Sequence, residues 1–136
     1  MSAQKPYLLD THALIWYQDG HPRLPERIVA AIRNPENRVL FSQVSLLEIA
    51  IKRKIGKLPE FVASLETVHQ QALADGFEFL ALSNQHIANY LRVPLFEQHR
   101  DPFDRLLIGI GEAENAIILT EDRNFSLYAR FVETQW

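Results

Sequence analysis

Tyr7-Leu8-Leu9-Asp10 is an apolar run that stops on a carboxylate, and Ile117-Ile118-Leu119-Thr120 repeats the form near the other end of the chain. A short, continuous apolar run between polar breaks reads as a strand buried on both faces, because a strand with one wet face would alternate. Residues 38–41 (Arg-Val-Leu-Phe) and 77–81 (Phe-Glu-Phe-Leu-Ala) have the same character, and residues 131–132 suggest a final edge strand. Between these runs, stretches 24–33, 45–55, 61–74, 84–91 and 102–114 carry apolar residues at helical spacing. Parallel neighbours need crossover connections, so this alternation predicts an α/β domain with a mainly parallel sheet of about five strands covered by helices on both faces.

Local signals place several helix ends. Pro25 and Pro102 suit first helical positions, Asp101 and Ser83 suit N-caps, and Gly76 suits a C-terminal cap. After Pro102, the residues Phe103, Leu106, Leu107 and Ile110 form one apolar face that leaves Asp104 free to point elsewhere. Gly109 and Gly111 lie inside that helix instead of after a strand, so they read as close-packing glycines and not as a dinucleotide loop. Phe61, Leu65, Val68 and Ala72 make either a core face or a seat for a partner helix.

With 136 residues and 47% hydrophobic content, the chain fits one domain spanning 1–136 that can bury a real core. The absence of cysteine excludes disulfides, thiolate metal sites and cysteine nucleophiles, leaving oxygen and imidazole as metal ligands. Asp10 interrupts the N-terminal apolar stretch before a signal-peptide core forms, and no run reaches membrane-spanning length, so a cytoplasmic protein is expected. A net charge of −3 disfavours nucleic-acid binding driven by counterion release alone, although an acidic pocket holding a cation inverts the local field and accepts phosphate.

Ligands collect at the carboxyl ends of the strands in open parallel sheets. Asp10 ends the first predicted strand, Asp122 follows the Ile117-Ile118-Leu119-Thr120 strand, Glu48 falls in the first turn of the helix after the 38–41 strand, and Asp104 falls in the first turn of its own helix. Carboxylates brought together either share protons or are neutralised by a cation, and oxygen ligands suit Mg²⁺ or Mn²⁺. Such a centre activates water for in-line phosphodiester displacement, with the Thr120 hydroxyl orienting a ligand or water behind it. Lys52 and Arg105 are the candidates for substrate phosphate contacts.

Each residue also has a plainer reading. Ser45-x-x-Glu48 has the form of a capping box, Asp104 complements a helix dipole, and Asp10 and Asp122 are acceptable turn residues. Lys52, Arg53, Lys54 and Lys57 sit where a helix C-terminus favours cations, and Asp101 before Pro102 is better placed as a cap than as a ligand. The histidines at 12, 21, 69, 86 and 99 show no HExxH-like clustering, which speaks against zinc. The joint placement of the four acids carries the argument.

The chain resembles the PIN-domain ribonuclease toxins of VapBC-type toxin–antitoxin pairs over nearly its full length. The likeness rests on Leu8-Leu9-Asp10-Thr11-His12-Ala13-Leu14-Ile15-Trp16, on Ser42-Gln43-Val44-Ser45-Leu46-Leu47-Glu48-Ile49-Ala50-Ile51-Lys52 followed by Gly56-Lys57-Leu58, on His99-Arg100-Asp101-Pro102-Phe103-Asp104-Arg105-Leu106-Leu107-Ile108, and on Leu119-Thr120-Glu121-Asp122-Arg123-Asn124-Phe125. The resemblance implies a PIN-like three-layer sandwich, Mg²⁺- or Mn²⁺-dependent endoribonuclease activity, and Asp10, Glu48, Asp104 and Asp122 as the acidic site. It further implies a homodimer and a cognate VapB-like antitoxin, to be sought on the helices spanning 48–57 and 61–74, with Trp16 as an aromatic contact, although an aromatic there reads more simply as core or interface packing. The rival readings are an aspartate-nucleophile phosphatase using Asp10, which lacks a second aspartate two residues on, and a non-catalytic PIN-like binding module.

Overall fold

The computed structural model describes residues 4–136, so the N-terminal leader expectation falls partly outside the described residues. Five strands run parallel in one sheet: β1 (Tyr7–Leu9), β2 (Val39–Ser42), β3 (Glu78–Leu80), β4 (Ile117–Leu119) and β5 (Glu133–Gln135), in the spatial order β3-β2-β1-β4-β5. The chain winds outward from β1 to β3 on one side, then crosses back to place β4 and β5 on the other. This puts the topological switch point between β1 and β4, where a ligand crevice is expected.

Successive strand residues face opposite layers, and both layers are buried. Leu9, Phe41 and Leu119 join Ala13, Leu14, Ile28, Ile49 and Val68 in one core, while Leu8, Leu40 and Ile118 join Val44, Leu107, Ile110 and Tyr128 in the other. Continuous apolar strand sequences follow directly from this two-sided burial. Helices α1 (Thr11–Asp19), α2 (Glu26–Arg33), α3 (Gln43–Lys54), α4 (Leu65–Ala74), α5 (Asn84–Tyr90) and α6 (Pro102–Ala113) supply the covering layers. No helix among the described residues is long and apolar enough to cross a membrane.

Several boundaries differ from expectation for identifiable reasons. Helix α1 was not anticipated, because its buried residues Thr11, Ala13, Leu14 and Ile15 wrap around the helix instead of forming one stripe. Ser42, not Ser45, caps α3, its hydroxyl accepting from Val44 N–H at 3.0 Å. Ser45 and Glu48 are therefore buried inside the helix, and the capping-box reading of that pair fails. Helix α4 starts after the Ser64 cap, so residues 61–64 lie outside it, and Pro25 stands at the N-cap of α2, one residue before its first turn. The edge strand β5 falls just beyond residues 131–132.

Asp101 and Ser83 cap α6 and α5 as expected, and Gly76 turns the chain after α4 at φ +88°. Gly111 is the true close-packing glycine: a Cβ there would lie 2.9 Å from Ile118 Cδ1 and 3.0 Å from Val132 Cγ2, so α6 could not approach β4 as it does. Gly109 has only ordinary clearances of 3.5 Å from its neighbours.

Candidate metal centre at the sheet switch point

Asp10 leaves β1 at the switch point and does two things at once. Its Oδ1 accepts from Ala13 N–H at 2.7 Å, capping α1, and its carboxyl is nevertheless almost entirely buried. Burial raises its pKa to about 7; the Thr120 hydroxyl and the Ala13 N–H oppose the rise, while the charges of Asp104 and Glu48 add to it. Thr120, at the end of β4, also accepts the Asp122 N–H at 3.1 Å, so one hydroxyl touches two of the candidate acids.

Glu48 points inward from the second turn of α3. Its Oε1 accepts the Thr11 hydroxyl at 2.6 Å and its Oε2 meets Lys52 Nζ at 2.7 Å, one turn along the same helix. Burial works against the Lys52 ammonium, but the Glu48 hydrogen bond and the charges of Glu48, Asp101 and Asp104 carry its pKa above the usual lysine value. The ammonium proposed for phosphate thus already serves as counter-charge inside the acidic site.

Asp104, in the first turn of α6, is held by His99, whose Nε2 lies 2.9 Å from Asp104 Oδ2. Burial raises the Asp104 pKa to about 6, opposed by the His99 hydrogen bond and reinforced by Asp101 and Glu48. His99 is itself locked: Nδ1 lies 2.8 Å from the Tyr128 hydroxyl, and its backbone carbonyl accepts from Arg105 Nη2 at 2.8 Å. Arg105 is buried and bonded to the Phe96 and His99 carbonyls, so the structure spends its guanidinium on the loop before α6 and keeps it from a phosphate. Asp101 caps α6 through Phe103 N–H and Asp104 N–H.

Asp122 is exposed and caps the 3-10 turn Arg123–Tyr128, accepting from Asn124 N–H at 2.9 Å. Among the described residues, His99, Asp104 and Asp122 each offer a ligand atom and these lie within 4.8 Å of one another. Asp10 and Asp122 line one cleft of about 270 Å³ together with His12, Trp16, Arg23 and Glu121. In that cleft burial lowers the His12 pKa, with Lys52 adding to the effect.

The four acids thus border one region, although Glu48 is engaged by Thr11 and Lys52 and the tightest ligand group includes a histidine. His99 is the residue that sequence reasoning missed. Its signal was a histidine five residues before Asp104 in the loop that Asp101 ends, which matters only once the loop folds back on α6. His99 and Lys52 only partly offset the cost of charging Asp10 and Asp104, whose pKa values stay raised, and the oxygens of these two acids suit a hard divalent cation that would supply further positive charge.

The sequence model of the PIN domain matches residues 7–131. No curated protein sequence matches the chain. Among solved structures, a chain of VapBC2 from Rickettsia felis bound to a promoter DNA fragment superposes with a TM-score of 0.66 at 18% identity, covering 95% of this chain and 96% of that one. A chain of VapBC-1 from nontypeable Haemophilus influenzae gives 0.62 at 18% identity over 95% and 96%. A chain of DNA-bound VapBC from Salmonella typhimurium gives 0.60 at 14% identity over 97% and 98%. At such identities these neighbours speak for the fold, and the parallel sheet in the order β3-β2-β1-β4-β5 with carboxylates at its switch point agrees with the match that spans nearly the whole sequence: the chain belongs to the PIN domain family.

Proposed function

We propose that this chain is a metal-dependent endoribonuclease acting as the toxin of a type II toxin–antitoxin pair. The observation that carries the reading is the pairing of buried Asp10 and half-buried Asp104, with pKa values raised to about 7 and about 6 by burial, at the β1–β4 switch point with Glu48 and Asp122 beside them. Membership of the PIN family and the fold shared with VapBC complexes support it. The partner would be a VapB-like antitoxin in the cytoplasm, with the toxin itself a homodimer.

Asp10, Asp104 and Asp122 would hold Mg²⁺ or Mn²⁺, with Glu48 at its side. With such an ion held there, the chemistry supplied would be activation of a water and stabilisation of charge on a phosphodiester. The chain's own residues do the rest. Thr11 and Lys52 fix the Glu48 carboxylate in one orientation, so it can accept a proton from water without swinging away. His99, locked by Tyr128, aims Asp104 Oδ2, and Thr120 sets the approach of Asp10 to Asp122. Ligation needs both carboxylates deprotonated, so a cation bound there would displace the protons that burial favours on Asp10 and Asp104, and its affinity should strengthen as pH rises through 6–7.

The test is cleavage of unstructured RNA by the purified protein with Mg²⁺ or Mn²⁺, with EDTA, and with Asp10→Asn. Metal-dependent cutting that the substitution abolishes is the expected result. Cutting that persists in EDTA, or an inactive wild type freed of any inhibitor, refutes the reading.

A further inference from the structure

The cleft beside Asp10 and Asp122 contains more than acids. Trp16 projects into it from α1, with the His12 ring 5.4 Å away and tilted, and the His21 ring 5.5 Å away and stacked. The Arg23 guanidinium lies over the indole, 4.8 Å from its centroid, and Arg23 Nη2 is tied to Glu121 Oε1 at 2.6 Å. Arg23 comes from the segment before α2 and Glu121 from the segment after β4, so the pair fixes a flat cation at the mouth of the site. The Arg23 side chain stays 61% exposed, leaving its outer side open.

An exposed ion pair of this kind contributes little to stability, so stabilisation alone is a weak reason for a guanidinium laid on an indole beside the candidate centre. A planar, uncharged group fits the cleft well. Its wall of Asp10, Glu121 and Asp122 repels free phosphate, whereas a nucleobase stacks on an arginine plane or an aromatic ring and offers edge groups to a carboxylate or imidazole. A base paired in a duplex is stacked away from such a cleft, and a splayed base of a single strand can enter it.

We infer that Arg23, backed by Trp16 and flanked by His12, forms a nucleobase-stacking subsite that seats a base of single-stranded RNA next to the scissile bond, an inference that rests on the nuclease reading above. Trp136 lies 6.0 Å from Trp16 and is the chain's other tryptophan, so Trp136→Phe leaves Trp16 as the sole indole fluorophore.

The experiment uses the full chain carrying Trp136→Phe and Asp10→Asn, with Mg²⁺, titrated with an unstructured RNA octamer, the same strand built of abasic nucleotides, and a hexa-arginine peptide. The RNA octamer should quench Trp16 emission, and the abasic strand of equal charge should bind about tenfold more weakly without quenching. Arg23→Lys, which keeps the charge, loses the plane and is too exposed to threaten folding, should weaken octamer binding by a similar factor. Equal binding of the two strands, no emission change with RNA, or quenching by the peptide alone overturns the inference, the last assigning the cleft to a protein partner. The nuclease reading fails separately. Wild-type protein that cuts RNA while Arg23→Lys shows unchanged base preference sinks only the subsite, and base-dependent quenching in a protein that cuts nothing upholds the subsite and sinks the nuclease.

Discussion

Replacing Asp10 with Asn should make the metal-free protein more stable while abolishing cleavage. Asparagine caps a helix about as well as aspartate, so the bond from Ala13 N–H survives and the change removes only the charge. In the folded chain the Asp10 pKa is about 7, against 3.8 for the ordinary side chain. A folded-state pKa above the unfolded value means that the contribution is fully present below pH 3.8 and is lost as pH rises toward 7. The gap corresponds to about 4 kcal/mol above pH 7, of which about 1.5 kcal/mol is already felt at pH 5. For a chain of this size, Asp10→Asn should therefore raise the melting temperature in EDTA by roughly 10–15 °C at pH 8 and by about 5 °C at pH 5. Thermal unfolding followed by circular dichroism at the two pH values, with EDTA and with Mn²⁺, measures this. Mn²⁺ should raise the wild-type melting temperature and close most of the gap at pH 8, because ligand binding to the folded state restores what the unpaired carboxylate loses. A variant that melts below wild type at pH 8 in EDTA, or a difference that ignores pH, refutes the reasoning that Asp10 is a buried charge awaiting a counter-ion.

Tyr128→Phe removes the hydroxyl 2.8 Å from His99 Nδ1 and should cost about 1 kcal/mol in stability, while His99→Gln should lower Mn²⁺ affinity by about tenfold or more in calorimetric titration, since Asp104 loses its orienting partner. Lys52→Met keeps the aliphatic stem but strips the buried Glu48 carboxylate of its cation, and a loss of about 1–3 kcal/mol in urea unfolding is expected. Gly111→Ala must push against Ile118 and Val132 at 2.9–3.0 Å, and the expected loss is about 1–2 kcal/mol after the gain in helix propensity is set against overpacking.

The sheet was legible because its strands are buried twice over. Leu8 and Leu9 face different cores, as do Leu40 and Phe41, so each strand had to be apolar throughout, and such runs announce themselves. Helix α1 was hidden by the same cause. Its residues pack against the sheet, α3 and α4 at once, and a helix apolar on several sides loses the period that identifies it. The helical stretch expected from residue 45 starts at Gln43 instead, because Ser42 and Ser45 both stand close before apolar residues and only the register of β2 with β3, ending at Ser42 opposite Leu80, settles which serine sits at the boundary.

The site was legible to the extent that strand ends determine it. Asp10 and Asp122 follow the adjacent central strands β1 and β4, so parallel pairing alone brings them to one rim. Glu48 and Asp104 needed helix registers, which the spacing of apolar residues gave. Tertiary contacts across long sequence separations left no trace in local spacing. His99 matters through Tyr128, 29 residues away, and Thr11 through Glu48, 37 residues away. These hidden partners are neutral or cationic groups that hold carboxylates in place, and they are required because the acids repel one another. A fold that drives Asp10 and Asp104 to raised pKa values at one rim would splay them apart unless hydrogen bonds from behind fixed each one. The supporting set of Thr11, Lys52, His99 and Thr120 is thus a consequence of the acidic cluster itself, and losing any one member should loosen the cluster before it touches the sheet beneath.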